Sequence, residues 1–158
     1  GWALAAGVSL APGVRATLGA LGGTLRLGLV TRARRREVDG VLALAGLEAH
    51  FACVVTADDV RVPKPAPDGY RAALARLAAR GGVDPARTVA FEDAAAGVAA
   101  ARGAGLRVVR VAPLAPPPVA SSAQRDAEAP TPDARLATLA GLTPGSLAVL
   151  LDLAPDRP

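Results

Sequence analysis

The sequence contains no isoleucine, asparagine or methionine, and among its 18 basic residues only one lysine, Lys64. Joint depletion of this kind is the mark of a GC-rich coding bias, so a net charge of +4 carried almost wholly by arginine is weak evidence for a nucleic-acid partner. A face that binds nucleic-acid backbone needs clustered cations interleaved with stacking aromatics. Aromatics make up 3% of this chain, and only "RARRRE" at 32–37 gathers positive charge. The single cysteine, Cys53, rules out an internal disulfide, and nothing argues for an oxidising compartment. Its setting, the apolar run "FACVV", makes it a small core residue. No apolar run approaches the roughly 20 residues that span a bilayer, and the start lacks the charged head of a secretory signal. The expected location is cytoplasmic, with neither a membrane nor a nucleic-acid partner. A first residue of glycine rather than methionine is what a fragment would show.

What is present is an alternation of two patterns. Short runs rich in Val and Leu read as strands: 25–31, 52–57, 88–93, 106–111 and, more weakly, 134–139. Their apolar character is nearly continuous, as in strands covered on both faces. Helical patterns lie between them at 12–21, 37–46, 67–82 and 94–105, the first opening on Pro12 and the third closing on glycines. Strand and helix in this rhythm predict an α/β fold, a Rossmann-like parallel sheet with helices on both faces. Residues 113–133 hold six prolines and few large apolar side chains, so they read as a surface loop before a last strand and closing helix.

In such a sheet ligands bind beyond the carboxyl ends of the strands. Three polar positions fall there: Thr31 after "GLV", Lys64 in the proline-stiffened "VPKPAP", and the adjacent Glu92 and Asp93 after "VAF". A hydroxyl, a lysine and two carboxylates brought to one edge suit Mg²⁺ and a phosphoryl group. Carboxylates give hard oxygen ligands, lysine a compact positive charge, and the hydroxyl a donor to a phosphoryl oxygen. Arginine presents a wider, planar fork. Where nearly every lysine has become arginine, Lys64 is expected to sit where only a point charge on a thin stem fits.

"GLVTRA", "VPKPAPDGY" and "VAFEDAAAGVAAARGAG", in this order, resemble the second, third and fourth motifs of the haloacid dehalogenase-like hydrolase superfamily, and most closely its β-phosphoglucomutase and phosphatase branch. The resemblance runs from about Val8 to Leu151, interrupted by the proline-rich loop. It implies that Thr31 hydrogen-bonds the transferring phosphoryl group and that Lys64 balances charge around nucleophile and phosphate. Arg32 and the Ala33 N–H join the phosphate-binding set. Asp93 binds Mg²⁺ directly, and Glu92 is a second ligand or an outer partner. Ala94 stands where such enzymes commonly have serine.

The first motif of that superfamily, an Asp-x-Asp nucleophile strand, is missing; the nearest spaced acids, Asp126 and Glu128, lie in the proline-rich loop. By the resemblance, the missing strand belongs at the sheet's centre, between the strands ending at Thr31 and at Glu92, and its loss leaves apolar edges on both neighbours. Residues 1–10 are then the exit from a missing cap and 11–158 a partial core. The implied activity is that of a Mg²⁺-dependent phosphatase of small phosphorylated metabolites, working through an aspartyl-phosphate and inactive without the missing strand. A sugar-phosphate mutase and a degenerate phosphate- or metal-binding module are the alternatives. A phospho-receiver domain is disfavoured by order, since its acids precede its Thr and Lys. Asp58 and Asp59 read as turn-shaping acids, Asp68 as a first-turn helix acid, Tyr70 as a packing residue and His50 as a surface or capping residue.

Overall fold

The computed structural model describes residues 10–112 and 130–151. Its elements in chain order are α1 (Val14–Gly22), β1 (Gly28–Val30), α2 (Arg35–Ala45), β2 (Cys53–Val55), α3 (Asp68–Ala78), β3 (Val89–Glu92), α4 (Ala95–Gly103), β4 (Arg107–Val111), β5 (Ala134–Leu136) and α5 (Pro144–Leu150). Each predicted strand and helix is present, trimmed by a few residues at its ends. Residues 1–9 of the expected exit segment at 1–10, most of the proline-rich loop, and Asp126 and Glu128 lie outside the described residues.

All strand pairings are parallel, but they form two sheets, β1–β2 and β3–β4–β5. Among the described residues no strand lies between β1 and β3, the place where the family resemblance puts the Asp-x-Asp strand. The consequence shows in burial. Val108 and Val109 of β4, which has a partner on each side, are fully buried on opposite faces. In β1, Gly28 is exposed and Leu29 and Val30 only half-buried, so the expectation of strands covered throughout fails at this edge.

Helices hold the two sheets together across the break. From α1, Leu18 packs with the β1–β2 half and Leu21 with the β3–β5 half; from α3, Tyr70 joins the cluster around Val108 while Ala73 and Leu77 join Cys53 and Val55. Helix α2 covers β1 and β2 through Val38, Leu42 and Ala45, and ends on Gly46 at φ 62°, a left-handed stop that favours glycine. Helix α5 starts on a Thr143 cap, whose hydroxyl accepts from the Ser146 N–H at 3.2 Å. Burial pushes the Cys53 thiol up, against the lowering pull of Arg76 and Arg80, in keeping with a core role.

The acid pair before the lysine loop is structural. Asp59 accepts hydrogen bonds from the Thr56 N–H and hydroxyl, both at 2.7 Å, from Arg35 at 2.7 Å and from Arg76 at 2.6 Å. Asp58 accepts from the Arg35 N–H at 2.8 Å at the start of α2. Two arginines of "RARRRE" thus pair with these acids, Arg34 with Asp58 at the surface and Arg35 with the half-buried Asp59. The hydrogen bond from Arg76 and those from Thr56 hold the Asp59 carboxyl well below its usual range. A depressed pKa adds stability above the unfolded value near 4 and loses it as pH falls below that value. Asp59→Asn is therefore expected to lower stability by about 2 kcal/mol at pH 7. In urea titrations the gap should narrow at pH 2.5; an equal gap at both pH values refutes the charge as its cause.

Candidate active site at the carboxyl edge

The carboxyl ends of β1 and β3 open onto one pocket of about 360 Å³. Thr31, Arg32, Ala33, Lys64, Glu92 and Asp93 all line it, so the six residues singled out in the sequence come together. Ala94 and Gly97, at the start of α4, close its other wall.

Each side chain arrives for a local reason. Thr31 follows the last residue of β1 and is anchored by its N–H to Val55 O at 2.9 Å. Its hydroxyl oxygen accepts from the Ala33 N–H at 3.1 Å, which leaves the hydroxyl proton for another acceptor. That same bond occupies the Ala33 N–H assigned above to phosphate. Lys64 comes from a loop whose Lys64–Pro65 peptide is cis. Its ammonium donates to Val30 O at 3.1 Å and to Glu92 Oε1. Glu92 ends β3 at 9% exposure, and Asp93, one residue on, is exposed.

Tyr70 belongs to this network, a role the sequence did not reveal. Its phenol donates to Glu92 Oε1, the oxygen that also takes the Lys64 proton, and its ring lies 5.0 Å from the ammonium. Burial, followed by the Glu92 charge, pushes the phenol far above its ordinary range, so it stays a donor at any working pH. An aromatic six positions after the lysine packs just as well without a hydroxyl, and the sequence holds no signal for one. Gly97 was visible only as punctuation. A Cβ there would run into the Glu92 carboxylate, so glycine makes the space in which that carboxylate lies.

The donor set can be tested against Mg²⁺. No cluster of three or more His, Cys, Asp or Glu forms among the described residues. Asp93 offers an exposed carboxylate with no hydrogen bond or ion pair among them, while one oxygen of Glu92 is already taken. One open carboxylate beside a second fits a small hard cation that keeps several waters.

A parallel α/β protein with an acid and lysine site at the carboxyl edge of its sheet is the class that this geometry defines. The chain belongs to the haloacid dehalogenase-like hydrolase family, whose pattern matches residues 3–105. Protein CbbY of Rhodobacter capsulatus is 42% identical over 106 residues, covering 65% of this chain and 45% of the relative. Fructose-1-phosphate phosphatase YqaB of Escherichia coli is 44% identical over 73 residues, 46% of this chain and 37% of the relative. The crystal structure of CbbY from Rhodobacter sphaeroides in complex with phosphate superposes with a TM-score of 0.72 at 29% identity, over 88% of this chain and 59% of that one. The chain thus spans less than half the length of these curated relatives.

Proposed function

We propose that this chain is the core of a Mg²⁺-dependent phosphohydrolase acting on small phosphorylated metabolites. The observation that carries the reading is the meeting of Thr31, Lys64, Glu92 and Asp93 in one pocket at the carboxyl edge. It is supported by relatives named as phosphatases and by a structural neighbour that holds phosphate.

In this reading an aspartate from an Asp-x-Asp strand, which residues 1–158 do not contain, attacks phosphorus. The bond to the leaving alkoxide breaks, and that oxygen takes a proton from the strand's second aspartate to leave as the alcohol. Water then attacks the aspartyl-phosphate, releasing inorganic phosphate and restoring the carboxylate. The Thr31 hydroxyl donates to a phosphoryl oxygen. Lys64 sets a fixed positive charge where negative charge collects, with Arg32 at the pocket mouth and the Ala33 N–H exchanging Thr31 for phosphate. Asp93 would hold Mg²⁺, which supplies charge neutralisation of the phosphoryl oxygens, and Glu92 stands behind it, fixing Lys64 or lending its second oxygen. The chain alone binds but does not turn over. A mutase shares this chemistry up to the aspartyl-phosphate, and a degenerate module keeps only the binding.

Calorimetric titration of the chain with MgCl₂ tests the pocket. Saturable binding is expected, weakened at least tenfold in Asp93→Asn; heats indistinguishable between the two proteins would refute the site. For a polypeptide carrying the nucleophile strand, inorganic phosphate released from sugar phosphates marks a phosphatase, and an isomerised sugar phosphate a mutase. Binding without either product marks the module.

A further inference from the structure

Glu92 is tied from two directions at one of its two oxygens. Oε1 accepts from the Lys64 ammonium, which arrives on the proline loop, and from the Tyr70 phenol, which arrives on α3. Both donors are themselves anchored. Tyr70 is buried in the core cluster of Ala90, Val98 and Val108. The ammonium is also held by Val30 O at 3.1 Å and by the face of the Tyr70 ring.

The other oxygen, Oε2, is left open. It accepts from no group among the described residues, yet His50 Nδ1 is the one side-chain polar atom among them that is both sealed from solvent and without a partner. Oε2 therefore reaches solvent. It lies over Gly97, where it would be the first atom met by an added Cβ, on the wall of the polar pocket and one residue from the exposed Asp93.

A carboxylate with one oxygen tied twice offers a metal ion only the other. Mg²⁺ takes single oxygens at about 2.0–2.1 Å in a strict octahedron, whereas Ca²⁺ takes roughly six to eight at about 2.3–2.6 Å and readily uses both oxygens of one carboxylate. Lys64 alone would leave the carboxylate free to turn about one contact. A second donor, fixed on a different element, removes that freedom.

We infer that Tyr70 makes the site selective for Mg²⁺ over Ca²⁺: by holding Glu92 Oε1 it restricts Glu92 to one metal-facing oxygen and denies the larger ion a bidentate carboxylate. The inference rests on the metal-site reading proposed above. Tyr70 is a positioning residue in it, acting through Glu92 and touching neither ion. Its ring supplies packing and the contact with the ammonium, which phenylalanine supplies equally, so selectivity belongs to the hydroxyl.

Calorimetric titration of the full chain and of Tyr70→Phe with MgCl₂ and with CaCl₂ tests this. The ratio of Ca²⁺ to Mg²⁺ affinity should rise about tenfold in Tyr70→Phe, chiefly through tighter Ca²⁺ binding. A general loosening of the site would weaken both ions alike, so an unchanged ratio would overturn the role. A second readout leaves Tyr70 in place and uses its standing as the only tyrosine in the chain. The near-ultraviolet band of a phenol moves to shorter wavelength when the phenol stops donating to a carboxylate. Saturating Mg²⁺ should leave the band unmoved, with Asp93→Asn carried through the same titration as the blank. A blue shift in step with Mg²⁺ binding would mean that the ion takes Oε1, and would overturn the inference even where Tyr70→Phe fails to fold. Failure of the metal site looks different: equal Mg²⁺ heats from the wild-type chain and Asp93→Asn would remove the ion-binding pocket, and the inference with it.

Discussion

Lys64→Met is expected to destabilise the fold by about 3 kcal/mol, a larger effect than any surface ion pair would give. The pair it breaks is buried, with side-chain exposures of 12% for Lys64 and 9% for Glu92. Removing one partner strands the other charge away from water, and that desolvation outweighs the lost attraction. Tyr70 still donates to the same Glu92 oxygen, which keeps the loss towards the lower end of the range for such pairs. Adding Glu92→Gln should recover part of it, giving a coupling of about 2 kcal/mol in the double-mutant cycle. Urea midpoints of the four proteins check this; additive losses would mean that the two groups are independently solvated. Lys64→Arg should rescue only partly. The wider guanidinium must fit among Val30 O, the carboxylate and the Tyr70 ring, where an ammonium on a thin stem now sits.

Gly97→Ala should likewise cost about 2 kcal/mol, although alanine is the better helix former by about 1 kcal/mol. The added methyl meets the Glu92 carboxylate, and a side chain held by Lys64 and Tyr70 cannot swing aside without losing both bonds. The interpretation makes a reciprocal demand. In a Glu92→Ala background the obstacle is gone, and Gly97→Ala should become neutral or stabilising by up to about 1 kcal/mol. A loss of the same size in both backgrounds would place the cause elsewhere in α4.

The α/β rhythm was legible because buried parallel strands leave apolar runs that no surface segment imitates, as "VAF" and "LRVVRV" show. The pocket was legible through strand ends, where Thr31, Glu92 and Asp93 break apolar runs, and through Lys64, conspicuous against an arginine-only background. Tyr70 stayed hidden because its contribution is a hydroxyl direction set by the packing of α3, which no local spacing encodes. The space under Gly97 depends on a side chain of a different element, and the blocked Ala33 N–H on a turn geometry one residue long. The exposure of β1 follows from an edge with no strand partner among the described residues rather than from its own apolar sequence.

The straddling of the break by α1 and α3 has a mechanical side. Between them lies an apolar cavity of about 300 Å³ that no side chain of the described residues fills, and unfolding would abolish it. Compression favours the state of smaller volume, and unfolding volumes of roughly −20 to −100 mL/mol scale with such voids. The chain should therefore be barosensitive, unfolding at lower hydrostatic pressure than a fully packed domain of equal stability.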